Sequence, residues 1–178
     1  MVVYTLGHST LPLDDFLGIV RAHRIATIAD VRRFPASRRH PHFARDALAA
    51  ALARAGVSYV WLPALGGRRP VRPDSPHVGW RVAGFRGYAD HMESAEFEAD
   101  LARLLALARE RPTAVLCAEA VPWRCHRQLI ADALVARAVT VLHVTGPSAP
   151  EPHRLSAFAR LEGDRLIYDG GQPPLAGT

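Results

Sequence analysis

The stretch Cys117-Ala118-Glu119-Ala120-Val121-Pro122-Trp123-Arg124-Cys125-His126-Arg127 gathers two thiols, a carboxylate, an imidazole and two guanidinium groups. A thiol is a nucleophile only as its thiolate, and neighbouring Arg, His and a helix N-terminus all favour that form. Cys117 is therefore a candidate nucleophile, with Cys125 beside it, His126 or His8 as general acid or base and Glu119 as orienter or base. The same residue types ligate metals. If an ion is held, Cys117, Cys125 and His126 are its ligands, although Cys-x7-Cys-His lacks the short ligand pairs of ordinary structural zinc sites. A purely structural alternative has Cys117 closing a strand as a small buried residue and Glu119 paired with Arg127.

Charge points to an anionic ligand. Every one of the 22 basic residues is Arg, and the net charge of +5 is unevenly spread. Residues 31–45 hold Arg32, Arg33, Arg38, Arg39 and Arg45 with no acid, and residues 64–89 hold Arg68, Arg69, Arg72, Arg81 and Arg86 against Asp74 alone. The remainder of the chain is net acidic, so the basicity forms a focused field. Arg offers planar, bidentate contacts to phosphate. Phe34, Phe43, Trp80 and Phe85 lie among these Arg residues and offer stacking surfaces. The expected anion-binding set is His8, Ser9, Asp30, Arg32, Arg38, Arg39, Arg68, Arg69, Tyr88 and Arg127.

These residues need elements to position them. Val2–Leu6 is a β-branched run, followed by Leu13, Phe16, Leu17 and Val20 at the spacing of a core-facing helix. Residues 25–31, 57–62, 113–118 and 139–144 are further predicted strands. Helical stripes lie between them, at Phe43 to Leu52, at Phe97 to Ala108, and from Pro122, a residue suited to a helix start, through Leu134. Strands alternating with helices predict a three-layer α/β sandwich, with a mostly parallel sheet of about five strands covered on both faces. Residues 159–168 suggest a small C-terminal hairpin around Gly163-Asp164, and the tail at 170–178 is expected to fray. Residues 63–87, rich in Gly and Pro, are predicted as a long functional loop. In an open parallel sheet, ligands bind beyond the carboxyl ends of the strands, where all the motifs above fall.

With 178 residues, 49% of them hydrophobic, the chain has the size of one ordinary domain, large enough to bury about two-thirds of its unfolded surface. Nowhere is there an apolar run of about 18 residues, and the first residues lack the basic region of a signal peptide. Two cysteines do not make a disulfide framework, so a reducing cytoplasm is the expected setting. Trp61, Trp80 and Trp123 are expected to be packing residues rather than cofactor stackers, with Trp80 the least certain, and His143 to be a satisfied core histidine.

Five motifs together resemble the bacterial and archaeal family catalogued as domain of unknown function 488. They are Thr5-Leu6-Gly7-His8-Ser9-Thr10, Asp30-Val31-Arg32-Arg33-Phe34-Pro35 with Ser37-Arg38-Arg39, Leu62 to Gly67, Phe85 to Ala89, and Cys117-Ala118-Glu119 with Cys125-His126-Arg127. The resemblance implies a compact α/β fold and a prokaryotic cytoplasmic setting, and no reaction. Asp30-Val31-Arg32 after a strand, and Cys117 at a strand end before Arg124 and a helix, are also similar to rhodanese-like and tyrosine-phosphatase-like domains. Those families place about five residues, Gly included, between Cys and Arg to cradle an anion. Here there are six residues, none is Gly, and Pro122 removes a donor.

Three functions follow from these residues. The first is an enzyme, a thiol-dependent transferase or hydrolase, acting on a phosphorylated or nucleotide-like small molecule without a resident cofactor. The second is a protein that binds or modifies nucleic acid through the Arg-rich loops, and the third is a zinc or iron site. No membrane partner is expected, and oligomeric state is left open.

Overall fold

The computed structural model describes residues 1–163 and 165–170. Strands β1 (Val2–Gly7), β2 (Thr27–Asp30), β3 (Ser58–Trp61), β4 (Thr113–Cys117) and β5 (Thr140–Val144) alternate with five α-helices. The helices are α1 (Leu13–Ala22), α2 (Arg45–Arg54), α3 (Ala83–His91), α4 (Ala95–Glu110) and α5 (Arg127–Val135). A two-residue strand, β6 (Glu151–Pro152), completes a sheet of order β3-β2-β4-β1-β5-β6, parallel except at β6. The hairpin β7 (Arg160–Glu162) and β8 (Arg165–Ile167) stands apart from it. The expected mostly parallel α/β sheet with a small C-terminal hairpin is thus what forms, with one strand more. Proline cannot donate to a strand ladder and survives at an edge, so the short β6 carries almost no sequence signal.

Side chains alternate between the sheet's faces. Leu6, Ile28, Ala114, Leu116 and Val144 pack with Phe16, Val20, Leu48 and Leu52 of α1 and α2. Val3, Ala29, Val115, Cys117 and Val141 point the other way and pack with Phe97, Leu104, Leu129, Ile130 and Leu134 of α4 and α5. Both faces are buried, which is why these strands are nearly continuous apolar runs. Local signals suit the helices: Ser94 accepts a hydrogen bond from the Phe97 N–H at 3.2 Å as the N-cap of α4, and Asp14 and Asp15 occupy the first turn of α1.

Two expected boundaries shift. Pro122 opens a short 3-10 turn (Pro122–Arg124), and α5 begins only at Arg127. The 63–87 segment is not all loop, because it opens with a 3-10 turn (Pro63–Leu65) and α3 starts at Ala83. Gly84 and Gly87 weaken the helical signal of α3. Gly87 is needed because a Cβ there would lie 2.3 Å from the Arg69 carbonyl oxygen. The segment between these turns is tied down by its own hydrogen bonds: Tyr88 Oη donates to the Leu65 carbonyl at 2.7 Å, and the Arg69 guanidinium to the carbonyls of Pro63, Ala64 and Gly66.

The C-terminal segment is fastened by one carboxylate. Asp132 of α5, fully buried, accepts from His153 Nε2, from the backbone and hydroxyl of Ser156, and from Tyr168 Oη. His153 Nδ1 lies 2.9 Å from His143 Nε2, and His143 Nδ1 lies 2.7 Å from Thr5 Oγ1. Every donor finds an acceptor if each step runs from Thr5 towards Asp132, with both rings neutral. His143 is the satisfied core histidine expected. Trp80 packs against Phe85, Phe158 and Tyr168. Trp61 is half-buried and donates to the Arg32 carbonyl, whereas Trp123, expected as a packing residue, is 60% exposed on the 3-10 turn. The expected fraying at 170–178 lies, from 171 onward, outside the described residues.

Candidate functional site

The chain proceeds from β1 outward through β2 to β3 in one direction and from β4 to β5 in the other. Strand order reverses around β4, the place where open parallel sheets bind ligands. Cys117 ends β4, His8 follows β1 and Asp30 ends β2, so three motifs far apart in sequence meet there.

The turn after Cys117 is held by an extension of the β1–β4 pairing, with His8 N–H donating to the Cys117 carbonyl at 3.0 Å and Ser9 N–H to the Ala118 carbonyl at 2.8 Å. It lies directly on Gly7, where a Cβ would come within 1.8 Å of the Glu119 carbonyl oxygen. From below, the buried Arg127 guanidinium donates to the carbonyls of Glu119 and Ala120. Arg127 thus braces the turn rather than facing a ligand. It meets the Glu119 backbone and not its carboxylate, which is exposed.

His126 and Cys125 reach back over the end of β4. His126 Nδ1 is 3.9 Å from Cys117 Sγ and 3.6 Å from Cys125 Sγ, and the three atoms lie within 4.8 Å of one another. Its other nitrogen, Nε2, is 3.3 Å from the Val31 carbonyl, which can only accept. That bond places the Nε2 proton and leaves Nδ1 for the sulfurs. The Tyr88 ring packs against the imidazole with centroids 5.1 Å apart. The two thiols share a hydrogen bond that pulls Cys125 well below the usual thiol range, with His126 and Arg127 adding to it, while the same bond and burial push Cys117 up. The first proton lost belongs to the hydrogen-bonded pair, so neither sulfur is singled out as the thiolate. The same three atoms are the set that could hold a metal ion.

The β2 side of the site is a fixed ionic frame. Asp30 receives Arg32 through its backbone N–H at 3.0 Å and through Nε and Nη2, and Tyr59 Oη donates to it at 2.7 Å. Arg32 Nη1 donates to the Phe43 carbonyl at 2.8 Å and to His8 Nε2 at 3.2 Å. His8 Nδ1 donates to the Ser9 carbonyl, and the ring stacks on Phe43 at 4.1 Å. Burial, and then Arg32, push His8 down to about 4, so it is neutral at physiological pH with both nitrogens engaged.

Above this floor lies a crevice of about 550 Å³. Of the residues expected in the site, His8, Arg32, Arg68, Cys117, Glu119, Cys125 and His126 line it. The others are elsewhere: Arg38 and Arg39 are exposed outside the lining, Arg69 is bonded to its own loop, Tyr88 is buried beneath, and Ser9, Asp30 and Arg127 support the frame. The rim also contains Arg33, Phe34, Ser37, Gly67, Val82, Phe85 and Arg124, none of which was in the expected set. Arg33 and Phe34 stand next to Arg32, and Arg124 next to Cys125, so adjacency within the motifs was the available signal.

The model of the family described as domain of unknown function DUF488 matches residues 12–134. No curated protein and no solved structure matches the chain. The match spans α1 to α5 and takes in the sulfur–imidazole floor, the Asp30–Arg32 frame and the rim, so the chain belongs to the DUF488 family.

Proposed function

We propose that the chain is a cytoplasmic enzyme that binds a phosphate-bearing, nucleotide-like ligand in the crevice and acts on it through the Cys117–Cys125–His126 floor, as a thiol-dependent transferase or hydrolase. The observation that carries this is the convergence of Arg33, Arg68 and Arg124 on a crevice whose walls include Phe34 and Phe85 and whose floor is two thiols and an imidazole. Guanidinium groups suit the phosphate, and the aromatic walls suit a planar base. Arg32 and His8, locked by Asp30 and Phe43, hold the inner wall rather than close on the ligand. The volume suits a nucleotide-sized molecule. Two thiols held side by side suit a reducing compartment. Calorimetric titration with nucleoside mono- and triphosphates, with the parent nucleosides as controls, tests it. Phosphate-dependent binding that weakens in Arg68→Ala is expected, and equal binding or none across the panel refutes it.

A second function is favoured by a separate observation. Phe34 and Trp123 are exposed and close in sequence to Arg33, Arg38, Arg39 and Arg124, with the Arg33 guanidinium over the Phe34 ring, features suited to single-stranded nucleic acid. Binding to an oligonucleotide that falls steeply with salt supports it, and no salt dependence refutes it.

A further inference from the structure

We infer that the floor of the crevice is a zinc site with three protein ligands, Cys117 Sγ, Cys125 Sγ and His126 Nδ1, and one open coordination position facing the crevice. The geometry carries this. In a tetrahedral site with Zn–S about 2.3 Å and Zn–N about 2.0 Å, each S···N edge is about 3.5 Å. Those edges here are 3.6 and 3.9 Å, and the three donor atoms lie within 4.8 Å of one another. A nucleophile with its base needs one thiol near one nitrogen. Here both sulfurs are nearly equidistant from Nδ1, the arrangement of groups around a common centre.

The surroundings suit an ion. Two thiolates offset a divalent charge, and both sulfurs are almost completely buried. Cys125 is extended (φ −139°, ψ 151°) and His126 helical (φ −58°, ψ −13°), so two consecutive side chains converge with Cys117 despite a sequence spacing unlike that of structural zinc sites. His126 Nε2 meets the Val31 carbonyl, the outer-shell bond that fixes a ligating imidazole with Nδ1 free. Gly67 leaves room for the ring, since a Cβ there would lie 2.9 Å from Nδ1. All three ligand residues line the crevice, so the fourth position opens onto the space where the proposed phosphate-bearing ligand binds. Three protein ligands with an open position are the pattern of catalytic rather than structural zinc. Glu119 also lines the crevice but lies outside the three-atom cluster. This inference keeps the proposed ligand and its crevice but makes both thiols ligands of the ion, so with zinc bound it replaces the thiol-dependent chemistry proposed above; its ion-binding half stands without that ligand.

The test uses the full chain, stripped of metal under reducing conditions and titrated with cobalt(II) and then zinc. Expected are about one ion per chain, intense near-ultraviolet sulfur-to-cobalt bands with the visible bands of tetrahedral cobalt, and their loss on adding zinc. Cys117→Ser and Cys125→Ser should each weaken cobalt binding by more than about 100-fold, beyond the 10- to 100-fold typical of an outer-shell partner. X-ray absorption of the cobalt-loaded wild-type chain should show two sulfur neighbours and a histidine nitrogen, a readout that needs no variant to fold. A wild-type chain with both thiols reduced and no charge-transfer band, or full bands in both serine variants, overturns the site. Cobalt bands without nucleotide binding keep the ion site and discard the nucleotide-like ligand, whereas nucleotide binding without cobalt bands does the reverse.

Discussion

Gly7 and Glu119 are in contact without a side chain between them: a Cβ on Gly7 would fall 1.8 Å from the Glu119 carbonyl oxygen, a backbone atom that cannot turn aside. Gly67 faces His126 at 2.9 Å, where the obstacle is a side-chain ring. The two glycines should therefore respond differently to alanine. Gly67→Ala is expected to cost about 1–3 kcal/mol, the range of ordinary overpacking. Gly7→Ala should cost more, because it must displace the turn that carries Cys117 into the site. Urea unfolding of both variants measures this, and equal losses would show that the turn is free to move.

Asp30 accepts from Arg32 three ways and from Tyr59 once while fully buried. Asp30→Asn leaves the Arg32 charge buried without its partner, and a loss of about 3–5 kcal/mol is expected. Tyr59→Phe removes one hydrogen bond and should cost about 1 kcal/mol. Chemical denaturation of the two variants, with circular dichroism, should show that ordering.

His143 gives the chain a pH dependence of definite sign. Burial, His153 and Arg127 push it down to about 4, against an ordinary value of 6.5, and Asp132 opposes them only in part. Above 6.5 the ring is neutral in folded and unfolded chain alike. Between about 6.5 and 4 the unfolded chain takes up a proton that the folded chain refuses, so stability falls as pH falls through that window. Unfolding midpoints from pH 7 to 4 should show the decline, with a shallower slope in His143→Gln.

The rim separates a small ligand from a polymer. Arg33, Arg68 and Arg124 line the crevice, whereas Arg38 and Arg39 lie exposed outside it. For a nucleotide, alanine at each of the first three should weaken binding about 10-fold or more, since charge-assisted hydrogen bonds contribute about 1.5–3 kcal/mol. The last two should leave affinity nearly unchanged. If the ligand is a nucleic-acid strand, Arg38→Ala and Arg39→Ala should each lower the salt slope by about one. Isothermal titration at two salt concentrations distinguishes these results.

Much of this molecule was legible in its letters. The order of β1 to β5 and of every helix but α3 followed from apolar periodicity, and the meeting of Cys117, His8 and Arg32 followed from the rule that loops after parallel strands share one edge. What escaped was set by contacts between residues distant in sequence. The sequence shows Arg127 beside His126, but not that Gly7 lets a turn settle over Arg127 and occupy its guanidinium. It shows a Gly-rich segment before Tyr88, but not that Gly67 and Tyr88 clasp the His126 ring.

The Asp132 carboxylate has a consequence for inheritance as against folding. It stands two residues inside the segment that matches the family model, while His153, Ser156 and Tyr168, its partners, all lie beyond residue 134. β5, which pairs with β1 along five positions, also lies beyond it. A chain cut after residue 134 would leave the Asp132 carboxylate in the interior without these partners and bare one side of β1. The matched segment, which also leaves out β1, is thus smaller than the packed unit. In this chain the segment after residue 134 supplies the hydrogen-bond partners of the Asp132 carboxylate and the strand that pairs with one side of β1.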